Sequence, residues 1–218
     1  QKYLYDLTDV KPYIYRFPGG SSNHCAKNIK PYIRYVNKKG LLYFDWNALN
    51  EDAAKKIYAA KGRPSDNPLI IHITNMKALE KIVSEVPEKA VKVAEKYWPG
   101  SLTMIFNKSD IVPYGTTGGL DTVAVRMPVD EIAREVIDAG GGYIAAPSAN
   151  TSGRPSPTTA QHVAEDLTGR VDMIVDGGAV EIGVESTILD MTVEPPMILR
   201  PGAITKEMFE EVIGEVTI

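Results

Sequence analysis

The sequence predicts one α/β domain that begins near Gly40, and two observations lead to this prediction. From that residue onward, short apolar runs alternate with segments of helical periodicity, which is the pattern of α/β proteins. The chain has 218 residues, 44% of them hydrophobic and 24% charged, which is enough to bury a core within one domain. We therefore assign residues 40–218 to the domain and residues 1–39 to a separate segment of open role.

The predicted elements follow one another at short intervals. Strands are expected at 41–44, 69–73, 102–107, 122–126, 143–146, 173–175, 186–190 and 197–200. Helices are expected at 51–60, 76–84, 88–97, 130–139, 159–167 and 206–213. Asn50 can cap the first helix, and Thr158 with Gln161 matches a capping box. Gly140 and Gly214 stand where helices should end.

The charge is unevenly distributed along the chain. Residues 1–44 carry eight basic and two acidic side chains, a net charge of +6, whereas the remainder carries −10. Seven of the eleven tyrosines lie in the same segment. Basic residues interleaved with aromatic ones can bind a phosphate backbone and stack on bases, so weak binding of tRNA or double-stranded RNA is one interpretation. A surface segment that packs on the domain through its tyrosines is the other.

Composition also excludes several classes of protein. No apolar run approaches the roughly 20 residues of a membrane-spanning helix, and the first residues lack the apolar stretch of a secretory signal. The one cysteine, Cys25, cannot form an internal disulfide, which fits a reducing compartment. The three histidines show no metal-ligand spacing, so we expect no tightly bound, protein-ligated metal. We expect a cytoplasmic protein without a membrane partner.

A first candidate site is the stretch 61–68, Lys-Gly-Arg-Pro-Ser-Asp-Asn-Pro. Pro64 disfavours the helical state for Arg63, so the preceding helix should end here and the chain should run extended. Lys61 and Arg63 would then point the same way and could bind polyphosphate together. The alternative is a solvated basic turn.

Two predicted strands carry a polar side chain among apolar ones. His72 shares a strand face with Ile70, and it is either a hydrogen-bonded core residue or a functional one. Arg126 shares a face with Thr122 and Ala124. A buried guanidinium needs an anion, which is either an internal carboxylate or a ligand.

The remaining candidates lie in loops and at strand ends. In the stretch 145–158, small residues would let a ligand approach the backbone, and Ser148 and Asn150 would project together. Ser156 precedes a helix start, a place suited to anions, although an ordinary Ser/Pro/Gly loop has the same composition. Further hydroxyls and another arginine come from the stretches 185–187 and 198–202. No Walker pattern and no dinucleotide glycine fingerprint occurs, so the residues alone indicate an anion-binding α/β domain.

Taken together, five motifs resemble the YrdC-like family of threonylcarbamoyl-AMP synthases and occur in that family's order and spacing. They are Lys-Gly-Arg-Pro-Ser-Asp-Asn-Pro-Leu-Ile-Ile-His-Ile at 61–73, Trp-Pro-Gly-Ser-Leu-Thr at 98–103, Val-Ala-Val-Arg-Met-Pro at 123–128, Ser-Ala-Asn at 148–150 and Leu-Arg-Pro-Gly at 199–202. The resemblance implies a twisted mixed sheet flanked by helices, with an open, concave basic face. It also implies a nucleotidyltransferase that joins L-threonine, bicarbonate or CO2 and ATP into threonylcarbamoyl-AMP, with release of pyrophosphate.

The resemblance further implies roles for particular residues. Expected ATP contacts are Arg63, Asn67, Thr122, Ser148, Ser156 and Arg200, and expected threonine contacts are His72, Arg126, Ala146 and Ser186. Lys61, Arg63, Ser148 and Asn150 form the signature expected to be catalytic. Mg2+ is expected on the triphosphate, and a tRNA-modifying transferase is the expected downstream partner.

One departure from the family pattern lies after Phe44. The family continues there with a Pro-Thr-x-Thr-x-Tyr-Gly-Leu-Gly stretch that supplies a threonine-binding hydroxyl, whereas this chain continues with Asp45 and Trp46. Either the chain lacks this loop or the sequence omits it. The departure and the basic first segment keep a second hypothesis open, a non-catalytic RNA-binding maturation factor of the same fold. A carbamoyl-transfer domain of a hydrogenase maturation protein would carry zinc-binding cysteine modules, which one cysteine cannot form.

Overall fold

A computed structural model describes residues 51–139, 141–171 and 183–218, together with 14–15, 42–43, 174, 176, 178 and 180. Seven helices occur in these residues: α1 Glu51–Lys61, α2 Met76–Ile82, α3 Glu88–Tyr97, α4 Tyr114–Thr117, α5 Glu131–Ala139, α6 Ala160–Leu167 and α7 Lys206–Ile213. The strands are β1 Ile14–Tyr15, β2 Leu42–Tyr43, β3 Ile70–Ile73, β4 Leu102–Asn107, β5 Thr122–Arg126, β6 Tyr143–Ala145, β7 Thr187–Asp190 and β8 Met197–Arg200.

Most predicted elements are confirmed, with ends that differ by one or two residues. The expected caps at Asn50 and Gly140, most of the expected strand 173–175, and the stretch after Phe44 lie outside the described residues. Helix α6 is capped by Thr159, whose side chain accepts from the His162 amide, so the capping box predicted at Thr158 is wrong by one residue. Helix α4 was not predicted, because a single turn is too short to show helical periodicity.

The main sheet has six strands in the order β6-β3-β5-β4-β7-β8. Strand β3 pairs parallel with β5, and β4 pairs parallel with β7, whereas the other neighbours are antiparallel. The predicted mixed sheet is therefore confirmed. Strands β1 and β2 form a separate parallel pair.

One face of the sheet is the core. Its side chains are almost fully buried, and they include Ile71, Ile73, Met104, Phe106, Val123, Val125 and Leu189. Apolar residues of α1, α2, α3 and α7 complete this core cluster. Burial alternates along β3 and β5 as the two-residue period predicts.

The opposite face of the sheet is more open. Ile70, His72, Thr122, Ala124 and Arg126 all lie on it and are only partly buried. Helices α1, α2, α3 and α7 pack on the core face, and these polar side chains stand on strands whose other side is apolar. No helix within the described residues is long and apolar enough to cross a membrane.

Candidate functional site

Lys61 ends helix α1 and is turned into the protein. Its side chain is buried, and its ammonium donates to the carbonyls of Ser148 and Asn150 and to Asn150 Oδ1. Three N–H groups thus meet three acceptors, all in one loop. Burial lowers the pKa of Lys61, and the neighbouring Arg63 charge lowers it further. Lys61 therefore links the end of α1 to the loop after β6 through hydrogen bonds.

Arg63 and Lys61 bind different partners, and the predicted extended stretch is wrong because the chain turns at Gly62. Gly62 has a φ of 59°, in the left-handed region, and this turns the chain directly after the helix. Arg63 Nη2 donates to Asn67 Oδ1 at 2.5 Å and to the Pro68 carbonyl at 2.9 Å. Arg63 and Asn67, two of the expected ATP contacts, are thereby brought together.

The loop after β6 is braced by Asn150. Its side chain donates to the carbonyls of Thr151 at 3.0 Å and Arg154 at 2.6 Å, and its exposed fraction is only 6%. Asp166 of α6 accepts from Thr151 and pairs with Arg154. Ser148 is exposed, so the two side chains of the Ser-Ala-Asn motif do not project together as predicted. Asn150 shapes the loop and Ser148 faces solvent.

His72 and Arg126 are in-register partners on β3 and β5, on the open face of the sheet. Burial lowers the pKa of His72 to about 4, and the charge of Arg126 acts in the same direction. The imidazole is therefore neutral at pH 7. Its Nδ1 is buried and meets no hydrogen-bond partner within the part of the chain that the structure describes.

Among the residues that the structure describes, Arg126 has a carbonyl partner and no carboxylate partner. Its Nε donates to Gly100 O at 3.1 Å, and no ion pair of Arg126 occurs among the described residues. Burial lowers its pKa, and the nearby charge of Arg200 adds to this effect. One of the two anions that the sequence allowed for, an internal carboxylate, does not pair with Arg126 within the described residues.

Arg200 is fixed beside this pair by Ser186. Its Nε and Nη2 donate to the Ser186 carbonyl at 3.0 and 2.8 Å, and Nη2 also reaches Ser186 Oγ at 3.0 Å. Ser186 Oγ is in turn 2.8 Å from Thr103 Oγ1. Thr103, fully buried and in register with Arg126, was not singled out by sequence reasoning. Its place in the motif 98–103 was the available signal.

Glu185 was likewise missed as a site residue. Its carboxylate accepts from Ser156 Oγ at 3.0 Å and pairs with Arg200 Nη1 at 2.6 Å. Burial lowers the pKa of Arg63, and the charges of Tyr58 and Glu185 oppose that shift. Ser156 and Arg200, which come from two segments, therefore contact one carboxylate, and the charge of that carboxylate also acts on Arg63.

Thr122 and Ala146 are two further expected contacts. Thr122 begins β5 and is half-buried on the open face, four residues before Arg126. The Ala146 amide donates to Ile70 O at 2.9 Å, which leaves its carbonyl as the backbone group that can serve a ligand. No group of three His, Cys, Asp or Glu side chains suited to a metal ion occurs in the residues that the structure describes.

Comparisons with known proteins identify a family and several similar relatives. A family model for Sua5, YciO and YrdC, described as "Telomere recombination", matches residues 44–202. Threonylcarbamoyl-AMP synthases of Pyrococcus abyssi and Bacillus subtilis are 56% and 54% identical to this chain over 172 and 173 residues. These alignments cover 79% of the chain and 51% and 50% of the relatives. The chain thus spans about half the length of these curated relatives.

Solved structures give the same result. P. abyssi Sua5 complexed with L-threonine matches with a TM-score of 0.77 and 56% identity, covering 79% of this chain and 51% of that one. Escherichia coli YciO is 20% identical and matches with a TM-score of 0.64, over 72% and 77% of the two chains, which shows the fold alone. Fold, ordered motifs and sequence identity agree, and the chain belongs to the Sua5/YciO/YrdC family.

Proposed function

We propose that this chain synthesises threonylcarbamoyl-AMP from L-threonine, bicarbonate or CO2 and ATP, and releases pyrophosphate. The observation that carries the proposal is Arg126, a partly buried cation without a carboxylate partner among the described residues, beside the neutral His72 and close to Arg200. Two anions, an amino-acid carboxylate and a polyphosphate, would satisfy such a site. The names of the 54–56% identical relatives support the same reaction.

The reaction balances without a side-chain nucleophile. The neutral amine of threonine adds to CO2 and loses a proton, which gives a carbamate. A carbamate oxygen attacks the α-phosphorus of ATP, and the bond between that phosphorus and the bridging oxygen of pyrophosphate breaks. The protein must hold two anions together and offset the charge on the leaving group, which are positioning and electrostatic tasks.

The threonine contacts are proposed on the open face of the sheet. The carboxylate of threonine would pair with Arg126, because a guanidinium donates two parallel hydrogen bonds to a carboxylate. The Ser186 hydroxyl and the Ala146 carbonyl would take the remaining polar groups. His72, neutral at pH 7, can offer a hydrogen bond without adding charge.

The ATP contacts are proposed where the loops meet, with Arg63, Asn67, Thr122, Ser148, Ser156 and Arg200 as the binding residues. Of the expected catalytic residues, Arg63 and Ser148 would contact the nucleotide. Lys61 and Asn150 would position the loop that carries Ser148, since their polar groups already bind that loop. Mg2+ would arrive on the triphosphate as part of the substrate, and the product would serve a cytoplasmic tRNA-modifying transferase.

The proposal is tested by incubating the 218-residue chain with labelled ATP, threonine and bicarbonate. Pyrophosphate release that requires threonine is expected, and release that is absent or independent of threonine would refute the activity. Calorimetry separates the two subsites. Arg126→Met should weaken threonine binding at least tenfold, because a charge-assisted pair is lost. Arg134→Met, which removes the same charge on α5, should leave threonine binding unchanged.

A further inference from the structure

Glu185 is the carboxylate that faces the proposed phosphate-binding residues. Each of its oxygens has one of them as a partner, Ser156 Oγ at 3.0 Å and Arg200 Nη1 at 2.6 Å. Ser156 belongs to the loop after β6, whereas Arg200 ends β8. Donors from two distant segments thus converge on one anion, as they would on a phosphate group.

Glu185 is not needed to orient Arg200. The Nε and Nη2 atoms of that guanidinium are already held by the carbonyl and hydroxyl of Ser186. Arg63 is held in the same manner by Asn67 and Pro68. Neutral acceptors fix both arginines, so the pair between Glu185 and Arg200 Nη1 is the contact that can be exchanged.

The Glu185 contact is also weak enough to be exchanged. The side chain of Glu185 is 52% exposed and that of Arg200 33%, and ion pairs of this exposure contribute little to stability. A polyphosphate brings several charges to the same donors. A carboxylate left beside it would repel it.

We propose that the Glu185 carboxylate is an internal anion that occupies the place of an ATP phosphate group and is displaced when the nucleotide binds. The inference rests on the proposed function, since it takes Ser156 and Arg200 as nucleotide contacts. Glu185 then sets the affinity of the site for ATP. It stays paired with Ser156 and Arg200 until a ligand with more charge than a carboxylate arrives.

The test is calorimetric titration of ATP into the full chain and into its variants. Glu185→Gln keeps the shape of the side chain and removes its charge, so the Kd for ATP should fall about tenfold, the effect expected of one additional charge-assisted hydrogen bond to the nucleotide. Glu185→Ala should lower the Kd by a similar factor. The difference in Kd between Glu185→Gln and the original chain should decrease as the salt concentration rises from about 0.05 to about 0.5 M, because the site is partly exposed and its charges are screened.

Glu211→Gln is the matched control. Glu211 lies on α7 and forms an exposed ion pair at 3.4 Å with Lys96 on α3. Its substitution changes the net charge by the same amount and should leave the Kd for ATP unchanged. If Glu185→Gln binds ATP no better than the original chain or Glu211→Gln, the inference is wrong and the proposed function stands. If neither the original chain nor any of the variants binds ATP, the proposed function fails and the inference with it.

Discussion

His72 illustrates how one histidine with a buried ring nitrogen links stability to pH. Its pKa is lowered to about 4 by burial and by Arg126, whereas an unfolded histidine titrates near 6.5. Between these values the unfolded chain binds the additional proton, so the free energy of unfolding falls as the pH falls from about 6.5 to about 4. The shift corresponds to about 3 kcal/mol when complete.

A variant without the imidazole should therefore lack this pH-dependent contribution to the free energy of unfolding. The difference in unfolding free energy between pH 7 and pH 4.5, measured by urea denaturation, should be roughly 2 kcal/mol smaller in His72→Gln than in the original chain. His162→Gln, at an exposed position on α6, should keep the original difference. An unchanged pH dependence in His72→Gln would show that the histidine is not held neutral by its surroundings.

Among the secondary-structure elements, the contact between the end of α1 and the loop after β6 depends on Lys61. Replacing it by methionine keeps the length of the side chain but leaves the carbonyls of Ser148 and Asn150 without their buried donor. We expect Lys61→Met to lower the unfolding free energy by about 2–4 kcal/mol, since each unsatisfied buried group costs about 1–3 kcal/mol.

A surface lysine provides the comparison for Lys61. Lys92→Met breaks an exposed pair with Glu88 one helical turn away, and it should leave the unfolding free energy nearly unchanged, because solvent screens the pair. If both substitutions had equally small effects in thermal and urea unfolding, Lys61 would not brace the loop. The KM for ATP should rise in Lys61→Met, because Ser148 would lose its position.

Gly202, in the turn after β8, lies very close to the backbone of the segment 185–187. This segment carries Glu185 and Ser186, the partners of Arg200. A Cβ atom there would lie 2.6 Å from both the Glu185 carbonyl and the Thr187 amide nitrogen. Gly202→Ala should therefore push the segment 185–187 away and cost about 1–3 kcal/mol, in the range of overpacking.

Gly183 is the control for this substitution, because a Cβ atom there meets nothing within 4 Å. Thermal unfolding should separate Gly202→Ala from Gly183→Ala, and threonine binding should weaken only in the former. Equal unfolding temperatures for the two variants would mean that the turn yields without disturbing Ser186.

At the scale of the whole molecule, the proposed site draws its residues from 61–200, within the domain that we assign to residues 40–218. Deleting residues 1–39 should leave the Kd values for ATP and for threonine within about twofold, a difference of under about 0.5 kcal/mol. Calorimetry on the shortened chain checks this. A larger loss would assign part of the site to the first segment and move the domain boundary.

The sequence by itself determined the α/β class, most element positions and the family. These features follow from periodicity, which reports local burial, and from motifs of adjacent residues. It also indicated that Arg126 needs an anion, because an arginine on an otherwise apolar strand is costly without one.

Only the tertiary structure decided which side chains are already engaged. The sequence predicts Lys61 and Asn150 as part of a catalytic signature, whereas the structure adds that their polar groups hold one loop, which lies 89 positions from Lys61. Glu185 and Thr103 owe their significance to Arg200 and Ser186, which strand pairing brings close. The physical reason is that a hydrogen bond or an ion pair depends on the distance between two groups in space. The separation of two residues along the sequence does not determine that distance.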